Sequence, residues 1–68
     1  MKIVAKGALR ERRLKSGLSL ESLAKEAGIS YTTICHIENG YSAYPVTTRK
    51  VCRALDCQFD DIFLLKDA

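Results

Sequence analysis

The chain has 68 residues, of which 47% are hydrophobic and 28% charged, and its formal net charge is +3. A chain of this size can bury a small core but has no room for a catalytic cleft with its supporting residues, so we expect no enzyme. With no run of about 18 apolar residues and no signal peptide, the sequence predicts a cytoplasmic protein without a membrane span, formed by a single domain over residues 1–68.

Five helices with short connections are predicted, and the first covers about Ala8 to Lys15. Its apolar residues are Leu9 and Leu14, and Gly17 ends it. The segment before it, Lys2-Ile3-Val4, has the character of a strand.

The second and third helices form a sharp corner. Ser19 is a natural N-cap for the second helix, which ends before Gly28 because the residue after a helix often has the positive φ that glycine adopts readily. Ser30 caps the third helix and Gly40 ends it. Two short helices joined in this way form a helix-turn-helix over about residues 19–39, which leaves the third helix free to enter a DNA groove.

The rest of the chain adds two more helices. Tyr41–Pro45 is predicted as a loop, since Pro45 disfavours a helix before it. The fourth helix runs from about Thr48 to Leu55 and a short fifth begins near Asp60, so the fold class is all-α. The predicted core consists of Leu9, Leu14, Leu18, Leu23, Ala24, Ala27, Ile29, Ile34, Ile37, Val51, Leu55, Phe59, Ile62 and Phe63.

Charge is unevenly distributed. Residues 1–18 hold six cations and one anion, which gives +5, whereas residues 56–68 hold four anions and one cation, which gives −3. Arg49, Lys50 and Arg53 form a second basic cluster. Basic clusters attract phosphates, although two solvated helix faces would show the same pattern.

The three cysteines, Cys35, Cys52 and Cys57, form no Cys-x-x-Cys pair, and His36 is the single histidine. This pattern indicates neither a disulfide framework nor a metal site, and no cofactor is expected. We interpret Cys52 as a small core residue. A redox role for Cys35 stays open beside a simple spectator thiol.

Several ordered motifs extend over about residues 9–63. They are Arg13-Leu14-Lys15-Ser16-Gly17-Leu18-Ser19, Leu23-Ala24, Gly28-Ile29-Ser30, Thr33-Ile34, Ile37-Glu38-Asn39-Gly40, Pro45, Ala54-Leu55 and Asp60-Asp61-Ile62-Phe63. Together they resemble the helix-turn-helix module of the phage Cro and CI repressors, the XRE family. The resemblance implies a five-helix lambda-repressor-like domain, with the third helix in the major groove of double-stranded DNA. It also implies a two-fold dimer on a palindromic operator and a structural ion pair between Arg13 and Glu38.

The outward face of the third helix holds the candidate base contacts. The resemblance assigns them to Tyr31, Thr32 and His36, and Cys35 is a weaker candidate through apolar contact. Thr32 suits an adenine edge or a thymine methyl, and His36 can donate to a guanine acceptor. The alternatives are loop packing for Tyr31 and an ordinary solvent-facing position for His36.

Phosphate contacts are expected at helix starts, where free N–H groups favour an anion, and at positions around the third helix. The candidates are Arg10, Arg12, Ser19, Ser30, Thr33, Asn39, Tyr41 and Tyr44. Leu20 stands where the family usually has a phosphate-anchoring glutamine, and the loop after Gly40 lacks the basic residues often found there. Both departures predict weaker and less salt-sensitive binding.

The C-terminal segment of residues 62–66 is a candidate dimerisation surface. One short helix cannot bury its whole apolar run, and such patches usually mark an interface. We therefore predict a homodimer through Ile62, Phe63, Leu64 and Leu65. The alternative is that Leu64 and Leu65 fold back onto the core of their own chain.

These expectations favour a sequence-specific transcriptional regulator, a repressor in particular. The alternative is a protein-binding module with the same fold, such as an antitoxin or an anti-repressor partner. An enzyme is not supported, because no nucleophile, base and orienting residue occur together. No small-molecule effector is evident.

Overall fold

A computed structural model describes residues 1–67. Its elements in chain order are β1 (Lys2–Ala5), α1 (Gly7–Lys15), α2 (Leu20–Ala27), α3 (Tyr31–Glu38), α4 (Pro45–Ala54), α5 (Phe59–Ile62) and β2 (Phe63–Lys66). Within these residues, no helix is long and apolar enough to cross a membrane.

The prediction of an all-α fold is corrected by a two-stranded antiparallel sheet. Lys2 pairs with Lys66 and Ala5 with Phe63, so β1 and β2 bring the two ends of the chain together. On the other edge of β1, the N–H of Ala43 donates to the carbonyl of Ile3 at 2.9 Å. The strand-like segment predicted at residues 2–4 is thus confirmed as part of β1, whereas the four-residue β2 is too short for an alternating pattern to identify it.

The fourth helix begins at Pro45, three residues earlier than predicted, so Pro45 belongs to the helix and not to the loop. Proline suits the first position of a helix because its missing N–H has no partner there and its φ is already helical. The side chain of Thr48 adds a local bond by donating to the carbonyl of Pro45 at 2.8 Å.

The core lies between the five helices and the sheet. Its largest fully buried side chains are Phe63, Leu9, Leu23, Ile34, Ile37, Ile62 and Val51. Leu14, predicted as core, is 60% exposed. It lies five residues after Leu9, about 140° around the helix, whereas Arg13 lies four residues after Leu9 and is buried on the inner face.

The corner between α2 and α3 follows from its end residues. The Ser19 hydroxyl accepts a bond from the N–H of Ser22 at 3.0 Å, and the Ser30 hydroxyl accepts one from Thr33 at 3.1 Å. Gly28, with φ +74°, reverses the chain between the two helices. These are the caps and the stop that the sequence predicts.

Helices α1 to α4 all end in the same way, which we call the helix-end motif. A residue with positive φ follows the helix, and the next N–H donates to the carbonyl five residues back. The positive-φ residues are Gly17, Gly28, Gly40 and Asp56. The donor and acceptor pairs are Leu18 to Arg13 at 3.1 Å, Ile29 to Ala24 at 2.9 Å, Tyr41 to His36 at 3.0 Å and Cys57 to Cys52 at 3.0 Å.

Candidate nucleic-acid interface

Helix α3 has one buried and one exposed side. Ile34 and Ile37 are buried in the core, and the opposite side exposes Tyr31, Thr32 and His36. Cys35 is half-buried beside them. The structure therefore brings the four residues predicted to contact bases onto a single surface of α3.

Tyr31 is the first residue of α3, so it lies in the helix and not in the preceding loop. The side chain of Cys35, one helical turn further on, raises the pKa of Tyr31, first through a hydrogen bond and then through a charge interaction. At neutral pH the phenol is therefore uncharged. Tyr31 and Cys35 lie one helical turn apart at the start of the exposed face.

His36 lies at the other end of this face, against the ring of Tyr41. The two ring centroids are 5.1 Å apart and the ring planes are inclined by 46°. Both rings border a groove of about 360 Å³ beside α3, lined by Thr33, His36, Ile37, Tyr41, Ser42, Ala43, Tyr44 and Thr47. Five of these residues carry hydroxyl groups, which can donate hydrogen bonds to an anionic backbone.

The predicted phosphate contacts separate into two groups. The hydroxyls of Ser19, Ser30 and Thr33 are engaged locally: Ser19 donates to Ser22 at 2.9 Å, and Ser30 and Thr33 share a bond of 2.7 Å. Tyr41 and Tyr44 are exposed at the groove, and Asn39 is exposed at the end of α3. The exposed tyrosines are thus better placed to donate outward than the capping hydroxyls.

Glu38 joins α1 to the end of α3. Arg13 Nε donates to Glu38 Oε2 at 2.6 Å and Arg13 Nη2 donates to Oε1 at 3.2 Å. The side chains of Arg13 and Glu38 are 9% and 2% exposed. Arg13 Nη1 also donates to the carbonyl of Leu18 at 2.9 Å, so the guanidinium supports the connection to α2. Arg13 and Glu38 thus form the structural ion pair that the family resemblance implies.

Arg10 has a role that the sequence analysis missed. Its Nε donates to Glu38 Oε1 at 3.1 Å, so a residue predicted to contact phosphate also pairs with a carboxylate of α3. The i, i+3 spacing of Arg10 and Arg13 on α1 was the available signal, because it places both guanidinium groups on one side of the helix.

Arg12 lies on a different side of α1. It lines a surface groove with Ala8, Glu11, Lys15, Ser16 and Asp61, next to α5. Two residues correspond to about 200° around a helix, so Arg10 and Arg12 point in nearly opposite directions. The two predicted phosphate contacts of α1 therefore do not share one side of the helix.

The predicted dimer surface is corrected at two residues. Ile62 and Phe63 are both 0% exposed within the chain itself, because they belong to its hydrophobic core. Leu64 and Leu65 are 37% and 54% exposed on β2, so they do not fold back into the core. Pairing with β1 holds this strand at the surface.

The other two thiols belong to the end of α4. Burial raises the pKa of Cys52 to about 11, and it also raises the pKa of Cys57. At neutral pH both groups are therefore protonated, weak nucleophiles. Among residues 1–67, no group of three or more His, Cys, Asp or Glu side chains is arranged to hold a metal ion.

Two short helices joined through Gly28, the second with one buried and one exposed side, define the chain as a helix-turn-helix protein. A family model described as helix-turn-helix matches residues 9–62. The chain therefore belongs to the XRE family of helix-turn-helix proteins, whose curated relatives are named as transcriptional regulators.

Relatives match over most of their length. The chain is 33% identical over 60 residues to an HTH-type transcriptional regulator of Archaeoglobus fulgidus, covering 87% of this chain and 86% of that one. It is 36% identical over 61 residues to one from Methanothermobacter thermautotrophicus, covering 87% and 88%.

Two solved structures share the fold. The restriction-modification controller protein C.AhdI from Aeromonas hydrophila is 33% identical, with a TM-score of 0.75 over 79% of this chain and 83% of that chain. The transcriptional regulator VanUg is 17% identical, with a TM-score of 0.77 over 98% and 92%, and this likeness concerns the fold alone.

Proposed function

We propose that the protein is a sequence-specific repressor that binds a palindromic DNA operator as a homodimer, with α3 in the major groove. The observation that carries this proposal is the exposed face of α3. Tyr31, Thr32 and His36 lie together on it, while Ile34 and Ile37 fix the helix from behind. Side chains on one exposed helix face can contact the edges of successive base pairs.

The position of α3 is set before DNA binds. Its last turn is held by the buried Glu38 carboxylate and the bidentate Arg13 guanidinium, and its first turn by the Ser30 cap. A planar guanidinium and a carboxylate joined by two bonds have a defined mutual orientation. A helix held in this way loses little conformational entropy on binding.

Backbone contacts come mainly from uncharged donors. Tyr41 and Tyr44 border the groove beside α3, and the exposed Tyr44 precedes the first turn of α4, which contains no acidic residue. Hydroxyl groups and helix N-termini position a protein on phosphates without releasing counterions as a lysine does. Operator binding should therefore depend only modestly on salt.

Leu64 and Leu65 are the residues to which we assign the dimer contact. Both are exposed on β2, and an isologous contact would cover the same leucines in two copies. Sedimentation at tens of micromolar would show a dimer for the wild type and a monomer for Leu65→Lys. A monomeric wild type under these conditions would contradict the assignment.

The role in regulation is supported by the relatives. The chain is 33% identical to a restriction-modification controller, which favours control of transcription. We place the activity in the cytoplasm, where the DNA target and reduced thiols coexist.

Selection of duplexes from a random DNA pool tests the proposal. We expect the wild type to enrich a palindromic motif, and Thr32→Ala and His36→Ala each to relax preference at particular positions of both half-sites. Glu11→Ala is the control, because Glu11 lies on the α1 and α5 side of the molecule, away from α3. A pool without any enriched motif would overturn DNA recognition and favour a protein partner.

A further inference from the structure

The helix-end motif has a different environment at α3 than at the other helices. In every helix-end motif the chain reversal brings two residues side by side: the one whose carbonyl accepts the bond and the one whose N–H donates it. In α1, α2 and α4 the acceptors Arg13, Ala24 and Cys52 are buried. The donors Leu18, Ile29 and Cys57 pack against the core.

At α3 the corresponding pair is His36 and Tyr41, and both are exposed. Gly40, with φ +95°, turns the chain so that the Tyr41 N–H reaches the His36 carbonyl at 3.0 Å. The same turn places the Tyr41 ring against the imidazole, with 5.1 Å between centroids. At the ends of α1, α2 and α4 the two residues of this motif pack in or against the core. At the end of α3 they are two aromatic rings on the candidate DNA surface.

We infer that Tyr41 is a positioning residue that orients the His36 imidazole and so determines the base preference at the position His36 contacts. This inference rests on the proposed function, since it deepens the role assigned to His36. An exposed histidine has several accessible rotamers, whereas a tilted ring contact favours one of them. Tyr41 is itself held by the main-chain bond to His36, so the orienting ring is fixed to the helix that it supports.

A Tyr41 that orients His36 differs in its measurable effect from a Tyr41 that only contacts phosphate. A phosphate donor changes affinity by a similar factor on every sequence, whereas a residue that orients His36 changes discrimination at one position of each half-site. From the usual strength of an aromatic pair, we expect the loss of discrimination to be about 2- to 10-fold. Removing the Tyr41 ring should therefore reduce base discrimination at the same position of each half-site as removing the His36 side chain, and at no other position.

Two variants distinguish the ring from the hydroxyl. Tyr41→Phe keeps the ring and removes the hydroxyl, whereas Tyr41→Leu removes the ring and keeps the main-chain bond. In selections from the random pool, Tyr41→Phe should retain the wild-type preference, and Tyr41→Leu should lose the preference that His36→Ala loses. The double variant Tyr41→Leu with His36→Ala should show no further loss at that position, because both changes remove the same interaction.

A measurement without DNA provides the independent readout. His36 is the single histidine, so its ring protons can be assigned directly by NMR. The Tyr41 ring should shift the resonances of these protons, and Tyr41→Leu should abolish this shift while the melting temperature shows that the fold is retained.

Unchanged chemical shifts of the His36 ring protons in Tyr41→Leu, or a preserved His36-dependent base preference, would overturn the inference even if the wild type selects an operator. A uniform loss of affinity would also overturn it and leave Tyr41 as a phosphate contact. If the wild type selects no motif, the proposed function fails and the inference fails with it.

Discussion

Glu38 lies in the last turn of α3, and its carboxylate accepts hydrogen bonds from two arginines of α1. The two partners differ in environment, because the side chain of Arg10 is 58% exposed and that of Arg13 is 9% exposed. A buried carboxylate that loses a buried partner retains an uncompensated charge, whereas an exposed partner is replaced by water. The same carboxylate thus allows a direct comparison of a buried and a surface ion pair.

Arg13→Ala should lower the free energy of unfolding by about 3–5 kcal/mol, because it leaves the Glu38 carboxylate without its buried partner. Arg10→Ala is the matched control and should cost less than about 1 kcal/mol. Urea denaturation of the two variants would measure both values. Equal losses would show that burial does not separate the two pairs.

Asp56 ends α4 with φ +52°, and it is the one residue other than glycine with positive φ among residues 1–67. A side chain in this region is strained, whereas glycine is not. Asp56→Gly should therefore raise the free energy of unfolding by up to about 1 kcal/mol. Asp60→Gly, which introduces glycine within α5, should lower it, and a loss in both variants would contradict the argument.

At the scale of the elements, the sequence predicted the helices through their ends. Ser19, Ser30 and Gly28 cap or stop α2 and α3 as expected, because these residues act through local bonds and local φ values. The strand-like character of residues 2–4 was predicted, whereas β2 and the sheet were not, since the sheet is defined by a pairing between residues 2–5 and 63–66 that no local pattern encodes. For the same reason the sequence did not separate the roles of the C-terminal apolar run: Ile62 and Phe63 were predicted both as core and as dimer surface, and only the core prediction is confirmed.

In the candidate site too, features set by neighbouring residues could be predicted from the sequence, whereas contacts between distant residues could not. The exposed face of α3 follows from helical periodicity, so its residues could be predicted from the positions of Ile34 and Ile37. The Arg10 bond to Glu38 spans 28 residues, and the contact between His36 and Tyr41 depends on a chain reversal after Gly40. The Arg10 bond arises from tertiary geometry, which residue spacing alone does not determine. The His36 contact is local to the end of α3, but a predicted helix stop at Gly40 does not by itself specify where the Tyr41 ring lies.

Leu9 and Leu14 test how α1 faces the core. Leu9→Ala should cost about 2–5 kcal/mol, because it leaves a cavity among fully buried side chains. Leu14→Ala should change the free energy of unfolding by less than about 0.5 kcal/mol, since this side chain is mostly in solvent. Thermal or urea unfolding of both variants gives the comparison, and a large loss at Leu14 would place it in an interface or in the core.

At the scale of the whole molecule, the net charge of +3 is not concentrated in the groove beside α3. Arg13 and Arg10 share the single negative charge of Glu38, and Arg12 lies on the α5 side near Asp61. The groove beside α3 is lined by hydroxyls and contains no lysine or arginine. Binding should therefore depend more on shape and hydrogen bonds than on counterion release.

Tyr44→Lys introduces a cation at the edge of this groove, where Tyr44 is 80% exposed. If a phosphate lies there, the slope of log affinity against log salt should become steeper by about 0.9 per subunit. Tyr44→Gln is the uncharged control and should leave the slope unchanged. Binding titrations on the selected operator at several salt concentrations give the slope, and an unaltered slope in Tyr44→Lys would remove Tyr44 from the phosphate contacts.

The pairing of β1 with β2 also has a consequence for how this fold can be linked to others. Lys2 and Lys66 are direct partners across the sheet, so their Cα atoms are separated by only about 4.5–5.5 Å. Polypeptide joined before Lys2 or after Lys66 would leave the molecule from almost the same point. A short linker between these positions could close the backbone into a ring at little entropic cost, and the order of the elements could then be permuted by opening the chain at an exposed corner.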